Sequence, residues 1–104
     1  MNLTSKDLKK FIRFQRNEYT ESIVYDRLAS IEKNTSNSKV LRMISAEEKA
    51  HYYTIKKYTN TEVKPNRWRI AKYYWLARIL GITFAIKLME SSENSAHQEY
   101  ARYT

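Results

Sequence analysis

One glycine and one proline in 104 residues leave this chain little with which to turn, and that restricts it to long helices. Three stretches carry apolar side chains at heptad spacing. The first runs Phe11, Phe14, Glu18, Glu21, Tyr25, Leu28. The second runs Leu41, Ile44, Glu48, His51, Ile55, Tyr58, and the third Leu76, Ile79, Thr83, Ile86, Glu90, Glu93, His97, Tyr100. Each seam has apolar or aromatic residues around ionisable ones. A carboxylate taken off water without a partner costs several kcal/mol, so acidic groups from three helices facing one interior require a counter-charge. A bound metal is the simplest one.

The turn signals set the expected helices. Thr4 or Ser5 caps a first helix, over about 5–33, with Asp7 in its first turn. The Asn, Thr and Ser cluster at 34–38 reads as a tight turn, with Ser36 or Ser38 capping a second helix to about 58. Pro65 marks a connector, and the helical pattern resumes over 67–103, either unbroken or divided near Gly81 into a crossover helix and a main helix. The expected fold is a single all-α domain, an antiparallel helical bundle. Counting from a reversal near Thr35 at about 1.5 Å per residue sets Glu18, Glu48 and His51 within about 6 Å of one another along the bundle axis.

Composition excludes several classes. The absence of cysteine removes disulfides, thiolate zinc sites and iron–sulfur clusters. Residues 1–10 are polar and helical in pattern, unlike a signal peptide, and the reading is cytoplasmic. The longest apolar stretch, 70–89, carries Lys72, Arg78 and Lys87, each costing roughly 2.5–3.5 kcal/mol at a bilayer centre, so it is not a span. The net charge of +8 is densest in the connector, at Lys56, Lys57, Lys64, Arg67, Arg69 and Lys72, interleaved with Trp68, Tyr73, Tyr74 and Trp75. The favoured reading is a solvated basic face whose aromatics pack on the bundle. Contact with an anionic membrane or with nucleic acid is the lesser one, nucleic acid least.

Taken singly, each candidate has an ordinary explanation. Glu18 alone would reach water from a seam edge, and His51 alone would be a core histidine donating to Glu18. Glu47 competes with Glu48 for the inward position, but Leu41, Ile44, His51 and Ile55 select Glu48. Glu90 and Glu93 could lie on a solvated face near the chain end. Their combination makes the ligand reading stronger. Glu48-Lys49-Ala50-His51 is the Glu-x-x-His pattern by which helical bundles hold two metals through carboxylates.

Residues 15–29 (QRNEYTESIVYDRLA), 48–51 (EKAH) and 84–93 (FAIKLMESSE) together resemble the rubrerythrin-type, ferritin-like di-iron domain, in the version attached or related to iron transporters of the vacuolar iron transporter group. The resemblance covers nearly the whole chain. It implies Glu18 as a terminal ligand, Glu48 as the carboxylate bridging two metals, and His51 as an imidazole ligand. Glu90 and Glu93 match the third-helix pair, one terminal and one able to move with redox state. Tyr25 matches a tyrosine that hydrogen-bonds a ligand carboxylate, and Glu21 is a flanking or outer group rather than a ligand. The family's fourth helix, with a second Glu–His motif, has no counterpart before Thr104, and His97 sits where the family asks for no ligand. A missing C-terminal helix, a homodimer that completes the site, or lost metal binding would each account for that.

The leading expectation is a non-haem di-iron carboxylate protein, with two irons per complete site and manganese or zinc as alternative occupants. It would react with peroxide or dioxygen as a peroxidase- or ferroxidase-like oxidoreductase, drawing electrons from a separate donor protein. The alternatives are a non-catalytic iron-binding or sensing module linked to a membrane transporter, and a metal-free helical association domain.

Overall fold

A computed structural model describes residues 4–101, with side chains through Ser91. It is an all-α bundle of four helices: α1 (Ser5–Ile31), α2 (Thr35–Thr59), α3 (Arg67–Leu80) and α4 (Ile82–Ala101). The described residues contain no strand. Among them, no helix is long and apolar enough to cross a membrane.

Side-chain caps set the helix ends. Thr4 Oγ1 accepts from the Asp7 N–H at 3.1 Å, satisfying one of the orphan donors of α1. The reversal into α2 takes only residues 32–34, and Asn34 caps α2 by accepting from the Asn37 N–H at 3.0 Å. Neither serine expected as the cap takes that role. Ser38 Oγ donates back to the Ala29 carbonyl at 2.8 Å, binding α2 to α1 across the turn. Asn60, at φ 49, closes α2 in the left-handed conformation that asparagine tolerates. In the last turn of α2, Lys56 bonds Glu62, a hydrogen bond that raises the Lys56 pKa against the opposing effect of burial.

Bonds between α1 and α2 pair Ser38 with Ala29, Ser45 with Ser22, His51 with Glu18 and Thr59 with Gln15. One number climbs as the other falls, so the two helices run antiparallel. The connector returns along α1. Buried Gln15 accepts from Thr59 Oγ1 at 2.6 Å and donates to the Thr61 carbonyl at 2.7 Å, and buried Thr20 accepts from the Asn66 N–H at 2.9 Å. The buried Gln15 amide and Thr20 hydroxyl are thereby matched. Asn66 then caps α3.

The seams are real, but their phase differs from a strict heptad. A straight helix drifts by about 20° per heptad against a 3.5-residue repeat. In α1 the expected Phe11, Glu18, Glu21, Tyr25 and Leu28 are all buried and only Phe14 is half-buried, while Gln15, Ser22 and Ala29 widen the buried face. In α2, Tyr52, Ile55 and Thr59 are buried, while Tyr58, expected inward, is exposed.

The largest correction falls at Gly81. The division near Gly81 is one of the two arrangements expected, but the third seam runs through it in a single phase, whereas Ile79 is 75% exposed and Glu90 is exposed as well. In α3 the core side chains are Ile70, Tyr73 and Ala77, which join Val24, Tyr25 and Leu28 of α1. Continued without a break, that phase would bury Leu80, Phe84 and Leu88, and all three are exposed. Gly81 instead takes φ 101, ψ 152, and α4 restarts with Ala85 and Met89 in the core. Glu90, one residue and about 100° beyond Met89, is rotated away from the interior.

The Gly81 conformation is one that only glycine adopts at little cost. A Cβ there would meet no atom within 4 Å. Gly81→Ala should therefore destabilise the fold by about 1–3 kcal/mol through backbone strain alone, read from urea denaturation midpoints. An unchanged midpoint would mean that the break does not depend on that conformation.

Candidate metal centre

Glu18 of α1 and Glu48 and His51 of α2 meet midway along the α1–α2 pair. Each offers a ligand atom, and these atoms lie within 4.8 Å of one another. Glu48 and His51 are three residues apart and so project from neighbouring positions on α2. The antiparallel pairing, held on one side by Ser45 with Ser22 and on the other by Thr59 with Gln15, sets Glu18 at their level.

Burial differs sharply among the three. Glu18 is 1% exposed, and its Oε2 lies 3.2 Å from His51 Nδ1. Glu48 is buried, and its Oε2 has no hydrogen-bond partner. His51 is at the mouth, with 59% of its side chain exposed. An interior carboxylate oxygen without a donor is expensive, and in a low-dielectric interior its field extends to Glu18. The group therefore consists of two carboxylates facing inward and one imidazole between them and solvent.

This donor set fits a divalent first-row cation. Oxygen and imidazole ligands together suit iron, manganese and zinc. Zinc and similar ions bind such atoms at about 2.0–2.2 Å, so donors already close together need only side-chain adjustment to converge on one ion. Tyr19 and Tyr52, each adjacent in sequence to one of Glu18 and His51, stack across the helix interface with centroids 4.7 Å apart. That pair is a rigid wall beside the site.

The other candidates divide. Glu90 is exposed and does not join the group. Glu93 lies outside the residues whose side chains are described. Tyr25 is buried in the apolar core with Val24 and Leu28. Glu21 is 1% exposed and meets Arg69 of α3, whose Nη2 donates to its Oε1 at 3.3 Å. Arg69 also donates to Asn17 Oδ1 at 3.3 Å. The sequence places Arg69 only within a basic surface. Its spacing from Glu21 in sequence gave no hint of the pair, because α3 had no assigned docking position against α1. The Gln15 and Thr20 contacts to the connector are equally without a sequence signal.

The comparisons with known proteins are negative: no protein-family model, no curated protein and no solved structure matches this chain.

Two substitutions should shift stability in opposite directions. Glu48→Leu removes a buried charge at similar volume and should stabilise the metal-free chain by about 1–3 kcal/mol. Arg69→Leu strands the Glu21 carboxylate and should destabilise it by about 3–5 kcal/mol. Urea unfolding in the presence of a chelator measures both. Marked destabilisation by Glu48→Leu would show that the carboxylate already has a partner in the protein.

Proposed function

We propose that the chain binds a divalent transition-metal cation through Glu18, Glu48 and His51, and that this is one half of a carboxylate-rich di-iron centre of the rubrerythrin or ferritin-like kind. The observation that supports it is the buried Oε2 of Glu48, which lacks a hydrogen-bond donor and lies in a group with Glu18 and His51. A positive ion is the partner that this arrangement lacks.

In this reading Glu18 from α1 and Glu48 from α2 would hold the ion from the inner side, and His51 would close the solvent side. Iron held there would supply one-electron redox chemistry toward peroxide or dioxygen. The protein's own contribution is orientation and exclusion of water. Glu18 and Glu48 arrive from opposite helices without solvent, and the Tyr19–Tyr52 stack restricts how either helix can shift. His51, half in solvent, is the side from which an ion or a small oxidant would enter.

Three ligands are too few for two ions, so the reading requires further carboxylate and imidazole groups. A second copy related by a two-fold axis, bringing another Glu18, Glu48 and His51, would supply them, as would a further helix. Binding without turnover is the second reading, and the solvent-facing His51 and exposed Glu90 favour it. It makes the chain an iron-binding or sensing module. Peroxide-dependent oxidation of the bound ferrous ion in the presence of a reductant separates the two.

Anaerobic titration with ferrous or manganous ion should load about one ion per chain, two per completed centre. At a free concentration about 100 times Kd, it should stabilise the fold by about 2.7 kcal/mol. Glu48→Ala should remove the stabilisation. Equal stabilisation of Glu48→Ala and the parent would place the ion elsewhere.

A further inference from the structure

The outer face of α3 has the opposite character from a normal helix surface. Trp68, Lys72, Trp75 and Ile79 follow one another at spacings of three and four, so they form one stripe. It lies on the side of α3 away from the buried Ile70, Tyr73 and Ala77. Trp68 is 85% exposed, and Trp75 is more than half exposed. The aromatics of this segment were expected to pack on the bundle. Tyr73 does, and the two tryptophans do not. Leu80, Phe84 and Leu88, on either side of Gly81, are exposed apolar side chains as well.

The charge around this surface has one sign. Residues 63–89 contain six basic residues and no acidic one. Arg69 is engaged by Glu21, and Lys64, Arg67, Lys72, Arg78 and Lys87 are exposed. Beside the stripe, an open groove between α1 and α3 is lined by Ile23, Arg27, Ile70, Arg67, Tyr74 and Trp75. Two guanidinium groups thus border an apolar and aromatic trough.

We propose that this face docks on an anionic phospholipid membrane, with Trp68, Trp75 and Ile79 at the headgroup–acyl boundary and the Arg27–Arg67 groove taking a lipid phosphate. Charge complementarity selects that occupant. A second copy meeting this face across a two-fold axis would set Lys72 and its arginine neighbours against their own likenesses, and a basic protein partner would be repelled likewise. Nucleic acid would satisfy the charge and could stack on tryptophan, but it has no use for exposed Ile79, Leu80 and Leu88, which have no aromatic face. A lipid surface uses all three features: basic groups for its negative potential, indoles for its interface, and aliphatic side chains for the acyl boundary. Since no described helix can span a bilayer, the contact is peripheral. It does not depend on the metal reading.

The test is vesicle flotation of the whole chain in chelator. Vesicles of phosphatidylcholine alone are compared with vesicles that also contain phosphatidylglycerol. The chain should float with the second and not the first, tryptophan emission should shift to the blue, and inorganic phosphate should not displace it. Lys72→Glu and Arg67→Glu should each weaken binding by at least about fivefold, the value of one basic group near such a surface. Trp68→Ser/Ile79→Ser should weaken flotation with the anionic vesicles and reduce the blue shift to what Trp75 supplies, while the far-UV helical signal stays unchanged, since both side chains are exposed. Equal flotation with both vesicle types, or with neither, would overturn the proposal. So would a dimer that Trp68→Ser/Ile79→Ser converts to monomer, or tighter binding to single-stranded DNA than to anionic vesicles.

Discussion

Three glutamates buried in one small bundle, Glu18, Glu21 and Glu48, constrain everything else in this molecule. An ionised carboxylate in a protein interior must be met by charge or hydrogen bonds, and removing its partner costs more than most single substitutions. The bundle answers the three differently. Glu21 has Arg69, delivered by a helix that begins forty-odd residues later in the chain. Glu18 has His51 at its edge. Glu48 has an oxygen with no donor at all. Glu21 Oε2 also has no hydrogen-bond donor, but a guanidinium counter-charge from the same chain meets its Oε1; Glu48 belongs instead to the group with Glu18 and His51, an arrangement that a cation would complete.

The same constraint shapes the fold around it. Burying Glu18 and Glu48 at one level requires the α1–α2 register to be firm. A short turn capped by Asn34, with serine and glutamine bonds on either side of the site, supplies that firmness. The connector is sewn to α1 by Gln15 and Thr20, so α3 arrives where Arg69 can reach Glu21. The neutralised pair and the open cluster thus share one framework but have different roles.

How much of this could be read from residues alone depended on whether the signal was local. Scarce glycine and proline fixed the helical class, and the cluster at 34–38 located the first reversal. Glu18, Glu48 and His51 are legible together because each lies within 17 residues of one short turn, so their level follows from the helical rise alone. The third seam failed at Glu90 because one glycine rotated everything after it, and heptad counting carries no record of a backbone angle. Arg69 carries no such signal, because its partner is distant in sequence and its own neighbourhood is basic enough to account for it as surface. Tyr58 and Phe14 show the smaller error of applying a coiled-coil repeat to straight helices.

The central claim is that a cation belongs between Glu18, Glu48 and His51. Anomalous diffraction from crystals equilibrated with manganous or ferrous ion, recorded on both sides of the metal's absorption edge, examines it most directly. The account predicts a single strong anomalous peak within bonding distance of the two carboxylates and the imidazole. A lattice soaked to saturation that gave no peak there, with the Glu48 carboxylate hydrogen-bonded to water or to another side chain, would contradict it.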